Sequence, residues 1–386
     1  MLTLEDIIQA ENTDDRREYG RMSPGITVFR QGRALVLMLP NDGFRVLSTS
    51  FGRGGFVDSP EAVVNISGMG GKVELQSMMK GLEYFNECNR LYMTKLGLDP
   101  ERSIPFGTAA NMDNASVMSL TSENGVKVSI AITGGIRHNG GRAGDPASYD
   151  EAGAAFDVGG GTIITMISID ADLTDSAMYE AMLIAAESKS CVIQDLQARS
   201  LYSQDVATGS GTDQVAIIVN KQSPEKIESL DRDSGLARAI AEITAKGLKD
   251  TFDRQSGMTL ETQRNPMVML SRYGMDRENI RDEIRFPATM DELLSALDWI
   301  EEDGYLAIMA SVAINMEDDV RKGLMLEEEA VTQARTILEK SLLGDVTDPV
   351  ERIRLDSLET IPEIISYVSA LTLMDVVKRR RSGYGQ

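Results

Sequence analysis

Between residues 25 and 50 apolar and polar positions alternate, the two-residue period of a strand. "GITVFRQGRALVLMLP" carries this alternation across a turn at Gln31-Gly32, and "FRVLSTS" resumes it after a turn at Asn41-Asp42-Gly43. Over 74–96 the period lengthens: Leu75, Met78, Met79, Leu82, Tyr84 and Phe85 fall three or four apart, which predicts a helix. "ASVMSLTSENGVKVSIAIT" at 115–133 predicts a turn at Glu123-Asn124-Gly125, then an alternating strand from Val126 to Ile132. Thr162 to Ile169 is a β-branched run. It leads into an acidic turn, Asp170 to Asp175, where Thr174 or Asp175 can cap a helix with Met178, Ala181, Met182 and Ala185 as its apolar stripe. "ATGSGTDQVAIIVN" at 207–220 reads as a loop entering a strand, and 234–252 as a helix with Leu236, Ile240, Ile243 and Leu248 inward.

Beyond about 257 the texture changes. "MDELLSALDWIEEDGYLAIMASVAINMEDDV", "LEEEAVTQARTILEKSLL" and "IPEIISYVSALTLMDVVKRRR" all carry helical periodicity, with breaks expected at Pro287, Gly304, Gly344 and Pro362. No strand pattern persists there and no internal repeat is evident. The expectation is an α/β body over 1–256 and an all-helical extension over 257–386.

Composition narrows the partners. The chain has 386 residues, 42% hydrophobic and 26% charged, an ordinary globular balance. Sixty acidic against 39 basic side chains give a formal charge of -21, which argues against nucleic acid and anionic membrane surfaces. The basic run "KRRR" at 378–381 is the exception and reads as a solvated, frayed tail. Cys88 and Cys191 form no CxxC pair and read as buried thiols in a reducing compartment. The N-terminus lacks the charged and apolar regions of a signal peptide, and no run approaches 18 apolar residues, so a cytoplasmic location is expected. His138 is the one histidine. It confines histidine-dependent nucleophilic catalysis to that position and argues against a His-ligated zinc; no metal is expected.

Candidate chemistry gathers around two glycine-rich stretches. "GGIRHNGGRAGDPASYDEAG" at 134–153 is long for an idle connection. Gly159-Gly160-Gly161 runs directly into Thr162. "DVGGGT" resembles the second phosphate loop of actin-like and sugar-kinase ATPases, whose glycines let backbone N–H groups approach phosphate. Those folds also carry Asp-x-Gly-Thr in an N-terminal strand-turn. Residues 1–60 have none, and no GxxxxGK[ST] occurs. The plain alternative is that the glycines only release the chain from a loop into a buried strand.

Several ordered blocks point elsewhere. They are "LSTSFGRGGF" (47–56), "VNISGMGG" (64–71), "FGTAANMDNASV" (106–117), "VSIAITGGIRHNGGRAGDP", "GTIITMISIDADLTDSAMYEAMLIAAESKSCVIQDL" (161–196) and "ATGSGTDQVAIIV" (207–219). Together, over roughly 25–252, they resemble the adenosylcobinamide amidohydrolase family. The resemblance implies hydrolysis of the amide joining aminopropanol to the corrin ring, giving adenosylcobyric acid in corrinoid salvage. It also implies a small-molecule corrinoid partner and no cofactor beyond the substrate's own cobalt. Asp233-Ser234 stands where the family often has a His-Thr element. Self-association is left open. The rival expectation is a corrinoid-binding or scaffold protein without chemistry.

A weaker resemblance concerns mechanism. Thr162 stands eight positions before Asp170-Ala171. L-aminopeptidase/D-esterase and ornithine acetyltransferase families place their self-processed Ser or Thr at that offset, which implies a layered αββα sandwich with the nucleophile heading a central strand. Thr162 is then the nucleophile, with a glycine before it to relieve crowding. The base would be the amine freed by cleavage before Thr162, or a carboxylate such as Asp170 or Asp213, or water. Backbone N–H groups of Gly134 and Gly135 would form the oxyanion hole. Asn111, Asp113, Asn139, Arg142, Asp145 and Thr212 are the expected substrate-binding residues, since a corrinoid's peripheral amides ask for hydrogen-bonding partners, although Asn111, Asp113 and Asn114 could simply build an Asx-type turn. Arg142–Asp145 could instead be a structural pair. His138 reads as an exposed loop residue, and Glu187 and Lys189 as a solvated helix face.

Overall fold

The alternation in the N-terminal half resolves into two facing sheets. The computed structural model describes residues 3–68, 81–147, 161–277, 279, 288–342 and 349–382. The first sheet has the order β1 (Arg17–Met22), β2 (Ile26–Gln31), β3 (Ala34–Met38), β6 (Ala62–Ser67), β7 (Ser103–Thr108), with β6 and β7 parallel. The second has the order β5 (Gly55–Asp58), β4 (Phe44–Ser48), β14 (Gln214–Asn220), β11 (Ile163–Ile169), β9 (Lys127–Gly134), β8 (Ser116–Thr121), with β14 and β11 parallel. Two-residue ladders join β10 (Gly140–Gly141) to β13 (Gly209–Ser210) and β12 (Asp172–Leu173) to β15 (Lys226–Ile227).

Alternate side chains of each strand enter different cores. Leu35, Leu37, Val63 and Ile104 of the first sheet meet Ala131, Ile164, Met166 and Ile218 of the second. The outer residues Ala34, Val36, Val64 and Ile66 pack with Ile8 of α1 (Leu4–Ala10) and Leu91 and Tyr92 of α2 (Gly81–Lys95). The outer face of the second sheet, with Ile130, Ile132, Ile163 and Ile167, packs on α3 (Asp175–Asp195) and α4 (Gly235–Ser256). The result is a four-layer αββα sandwich. Central strands covered on both faces read as unbroken apolar runs, which is why Ile163–Ile169 shows no alternation. Thr174 caps α3 by accepting from the Ala177 N–H, and Ser234 caps α4 by accepting from that of Ala237. Gly257 ends α4 at φ +66°.

The chain divides into two compact units, Met1–Thr259 and Leu260–Gln386. The second is all-helical: α5 (Leu260–Gln263), α6 (Pro266–Leu270), α7 (Met290–Glu302), α8 (Gly304–Arg321), α9 (Glu327–Leu342), α10 (Pro349–Asp356) and α11 (Ile361–Arg381). It has its own core, including Leu297, Ile300, Ala313, Ala334, Ile364 and Leu373. Gly304 and Pro362 open helices rather than only breaking them. Asp303 caps α8, and a proline in the first turn gives up an N–H that has no intrahelical partner. Buried Arg272 meets Asp318 at 2.8 Å, and Tyr273 Oη donates to the same carboxylate at 2.6 Å.

Two expectations need correction. The basic run is no frayed tail: α11 continues to Arg381, where cations favour the helix's negative end, and Arg381 pairs with Glu292 at 2.7 Å. Cys88 is half-buried and Cys191 exposed, because position 191 lies on the outward side of α3. Residues 74–80, Gly159, Gly160, Pro287 and Gly344 lie outside the described residues. No helix among the described residues is long and apolar enough to cross a membrane.

Candidate functional site

The strand registers bring one set of ends together. Gly134, closing β9, pairs with Ile163, opening β11; Ile164 pairs with Gln214, opening β14; Ser48, closing β4, pairs with Ala216. In the first sheet Ser67 pairs with Thr108 as β6 and β7 both end. Asn65 of β6 reaches across and donates to Thr133 Oγ1 of β9 at 2.8 Å, tying both sets of ends to one end of the sandwich. The glycine- and hydroxyl-rich blocks of the sequence follow or precede these ends, so residues scattered from 48 to 214 share one neighbourhood.

Thr162 heads β11 there. Its side chain is buried and its hydroxyl donates to the Thr212 carbonyl at 2.6 Å. The preceding peptide is constrained. Gly161 has φ +134°, and a Cβ on it would sit 2.8 Å from the Gly135 carbonyl oxygen, so only glycine fits. The Gly161 carbonyl accepts from Asn139 Nδ2, and from Thr212 Oγ1 at 3.4 Å. Asn139 is buried in the loop after β9, whose course is held by the β10–β13 ladder.

Asp213 holds the start of the strand. One carboxylate oxygen accepts from the Ile163 N–H at 3.0 Å and from Ser210 Oγ at 2.6 Å. The other accepts from the Ser210 N–H at 2.9 Å and from Lys189 Nζ of α3 at 2.6 Å. Both partners of this ion pair are largely buried, at 17% and 10% exposure. The expectation of Lys189 on a solvated face is therefore corrected. Glu187 does lie on that face, pairing with Arg232 at 2.8 Å.

Other expected site residues lie apart or are differently engaged. Asp170 follows the far end of β11, eight positions from Thr162, a span of roughly 25 Å in extended chain. There it accepts from Asn220 Nδ2 at 3.0 Å. A base must lie within hydrogen-bond reach, so Asp170 is excluded from that role at Thr162. The Gly134 N–H is directed to Thr251 Oγ1 at 3.3 Å, which corrects its assignment to an oxyanion hole. Gly135 turns its carbonyl toward Gly161. Asn111 caps a short 3-10 turn by accepting from the Asp113 N–H, and Asp113 faces outward to Arg17 at 2.5 Å and Arg30 at 3.3 Å. Arg142 Nη1 donates to the Val206 carbonyl at 3.1 Å. Asp145 accepts from the Arg142 N–H at 2.6 Å and from the hydroxyls of Ser200 and Ser203 at 2.6 and 2.5 Å. Burial opposes its ionisation, but these donors outweigh it and hold the carboxyl below the usual range. His138 is exposed. Thr162, Thr212, Asp213 and Asn139 thus converge, while Asp170 and Asp113 do not join them.

Asn65 and Gln214 escaped the sequence reading. Their side chains are 0% and 2% exposed, on the inter-sheet side of these strand ends, and among the described residues Asn65 Oδ1 and Gln214 Oε1 have no hydrogen-bond partner. Buried acceptors without partners are rare in an optimised core. The available signal was a polar residue interrupting "AVVNIS". Among the described residues no three His, Cys, Asp or Glu side chains gather as metal ligands. The helical unit holds an apolar pocket lined by Met267, Leu270, Ile300, Leu306, Ala310 and Ile365, without a titratable side chain to supply chemistry.

Comparison with known proteins adds a family match over the α/β body. The family model described as adenosylcobinamide amidohydrolase matches residues 21–260. An uncharacterized protein, MJ1613 of Methanocaldococcus jannaschii, is 31% identical over 146 residues, covering 35% of this chain and 57% of that protein. The chain thus spans little more than half of this relative's length. Among solved structures, the PH0078 protein of Pyrococcus horikoshii aligns over 64% of this chain and 85% of its own, at 13% identity and a TM-score of 0.27.

Proposed function

The chain belongs to the adenosylcobinamide amidohydrolase family, and from that premise we propose that it hydrolyses the amide between aminopropanol and the corrin ring of adenosylcobinamide. The products are adenosylcobyric acid and aminopropanol, a step of corrinoid salvage, which in this reading runs in the cytoplasm. The corrinoid is the small-molecule partner, and its cobalt enters only as part of the substrate.

One observation carries the reading: Thr162 stands at the convergence of both sheets' strand ends, behind a carbonyl gripped by Asn139 and Thr212. An unactivated amide needs a nucleophile, a proton acceptor and donors for the developing oxyanion. Thr162 Oγ1 attacks the amide carbon, and Asn139 Nδ2 and Thr212 Oγ1 are the side-chain donors positioned nearby. Aminopropanol leaves with a proton, and water releases the acid from Thr162. Asp213 already accepts four hydrogen bonds and serves as an anchor rather than as the base. The Thr212 carbonyl orients the hydroxyl but takes no proton. The base in this reading is the α-amine of Thr162, freed when the Gly161–Thr162 bond is cut, with a pKa near 7.7–8.0 in model peptides. Intact-mass spectrometry checks this step: an active chain at full length removes that base.

A second reading, a corrinoid-binding protein without chemistry, is favoured by the burial of Thr162, whose hydroxyl already donates to the Thr212 carbonyl. Incubation with adenosylcobinamide and measurement of free aminopropanol separates the two. Release equimolar with the acid supports hydrolysis; binding without release supports the second.

A further inference from the structure

Phe51 follows β4 at the strand-end face of the sandwich and is 38% exposed. Its ring meets Phe85 of α2 edge-on, with centroids 6.0 Å apart and planes at 80°. Phe85 is seated against β7 at Gly107, where a Cβ would come within 2.6 Å of the ring and push it from its seat. Ser50 Oγ donates to the Pro105 carbonyl of β7, and Gly52 stands against Pro105 and Asn86. The loop after β4 is therefore fastened to the other sheet, and the Phe51–Phe85 pair bridges the two sheets beside the site. Leu82, 52% exposed, stands one helical turn before Phe85 and extends the apolar surface.

Distance gives this surface a use. In the order β4-β14-β11, the strands that lead to Phe51 and Thr162 are two spacings apart, about 10 Å across the sheet, and Phe51 lies three residues beyond the end of β4. A substrate whose scissile amide lies on an arm of a bulky macrocycle needs an apolar seat about an arm's length from the nucleophile. Aromatic rings held by packing supply such a seat at low entropic cost. Resting on the hydrolase reading above, we propose that the Phe51–Phe85 ledge seats the apolar periphery of the substrate's macrocycle while the amide-bearing arm reaches Thr162. Phe51 is then a specificity-determining residue, and the ledge explains how a site of small polar side chains would select a large corrinoid.

Two measurements test it: spectrophotometric titration with cobinamide for binding, and aminopropanol release for turnover. Phe51→Ala is expected to weaken cobinamide binding about tenfold and raise KM by the same factor, with kcat falling less than about threefold. Phe51→Leu should lose about threefold in binding, and it carries the test if circular dichroism shows the alanine variant unfolded. Binding within twofold of wild type in a folded Phe51→Ala overturns the proposal. So does a loss confined to kcat, or a change in self-association without a change in binding, which would assign the ledge to a second copy of the chain. Wild-type protein that binds cobinamide in a Phe51-dependent way but releases no aminopropanol ends the hydrolase reading and leaves the ledge standing. Turnover indifferent to Phe51 does the reverse.

Discussion

Both units pair a buried charge with a side chain, Arg272–Asp318 in one and Lys189–Asp213 in the other, but they differ in what surrounds the pair. In the helical unit Arg272, Asp318 and Tyr273 close on one another, so charge taken from water is answered by a neighbouring side chain. In the α/β body the strand ends also gather polar side chains whose bonds run to backbone, at Gly161, Ile163 and Thr212, while among the described residues Asn65 Oδ1 and Gln214 Oε1 have no hydrogen-bond partner. A closed network consumes its own capacity and reports on stability. An open set of donors and acceptors around a strained glycine peptide retains capacity for another molecule. The contrast favours the body as the place for chemistry, even though the helical unit holds an apolar pocket.

The sharpest way to break this contrast is Thr162→Ala. If the site is chemical, the variant loses at least about 10⁴-fold in kcat, while cobinamide binding stays within about threefold. The lost hydroxyl bond costs only about 1 kcal/mol of stability. A variant that still releases aminopropanol removes Thr162 from the mechanism. The complementary change is Arg272→Met, which leaves Asp318 buried without its cation. It should destabilise the helical unit by about 3–5 kcal/mol. Trp299, the one tryptophan of the chain, lies in α7 of that unit, so its fluorescence in denaturant reports the loss. A midpoint unchanged by Arg272→Met would show that the network is not what holds this unit.

Much of the body was legible because its signals are local. Alternation marked the first-sheet strands, Thr174 and Ser234 marked helix starts, and a glycine before a β-branched run marked the tip of β11. The site was legible where residues lie close along the chain, as with Gly161-Thr162 and Thr212-Asp213. It was misread where sequence distance was taken for spatial distance. Eight residues of strand carry Asp170 away from Thr162, whereas α3 brings Lys189 onto Asp213 across 24 positions. A lysine on a helix with many polar positions resembles a solvated one until the packing of α3 on the sheet is known. Asn65 is similar: one amide in an apolar strand acquires meaning only when the facing strand offers Thr133.

Lys189→Met sharpens the contrast at a smaller scale. Removing the ammonium leaves Asp213 with its two Ser210 bonds and the Ile163 N–H, and weakens the clamp at the start of β11. Lys189 acts through Asp213, so kcat should fall about 10- to 100-fold while KM changes less than about threefold, and Lys189→Arg should recover part of the loss. Equal changes in kcat and KM, or no rescue by arginine, would make the pair a plain stability element like the one in the helical unit.

The smallest effect belongs to Asp145, where the body contains a closed network of its own. Its carboxylate collects the Arg142 N–H and two serine hydroxyls, and its folded-state pKa lies below the usual carboxylate value. The sign follows from that depression: unfolding releases the group to a higher pKa, so the stabilisation is present above the unfolded value and is lost as pH falls through the folded one. With an unfolded aspartate near 3.9, the contribution is complete at neutral pH and fades below about pH 4. Asp145→Asn should therefore cost about 1 kcal/mol at pH 7, and the gap to wild type should narrow as denaturation is repeated at decreasing pH. A gap that stays constant down to pH 3 would mean that the Ser200 and Ser203 bonds do not depend on charge. The loop carrying Asn139 would then be held at every pH by these bonds together with its backbone ladder.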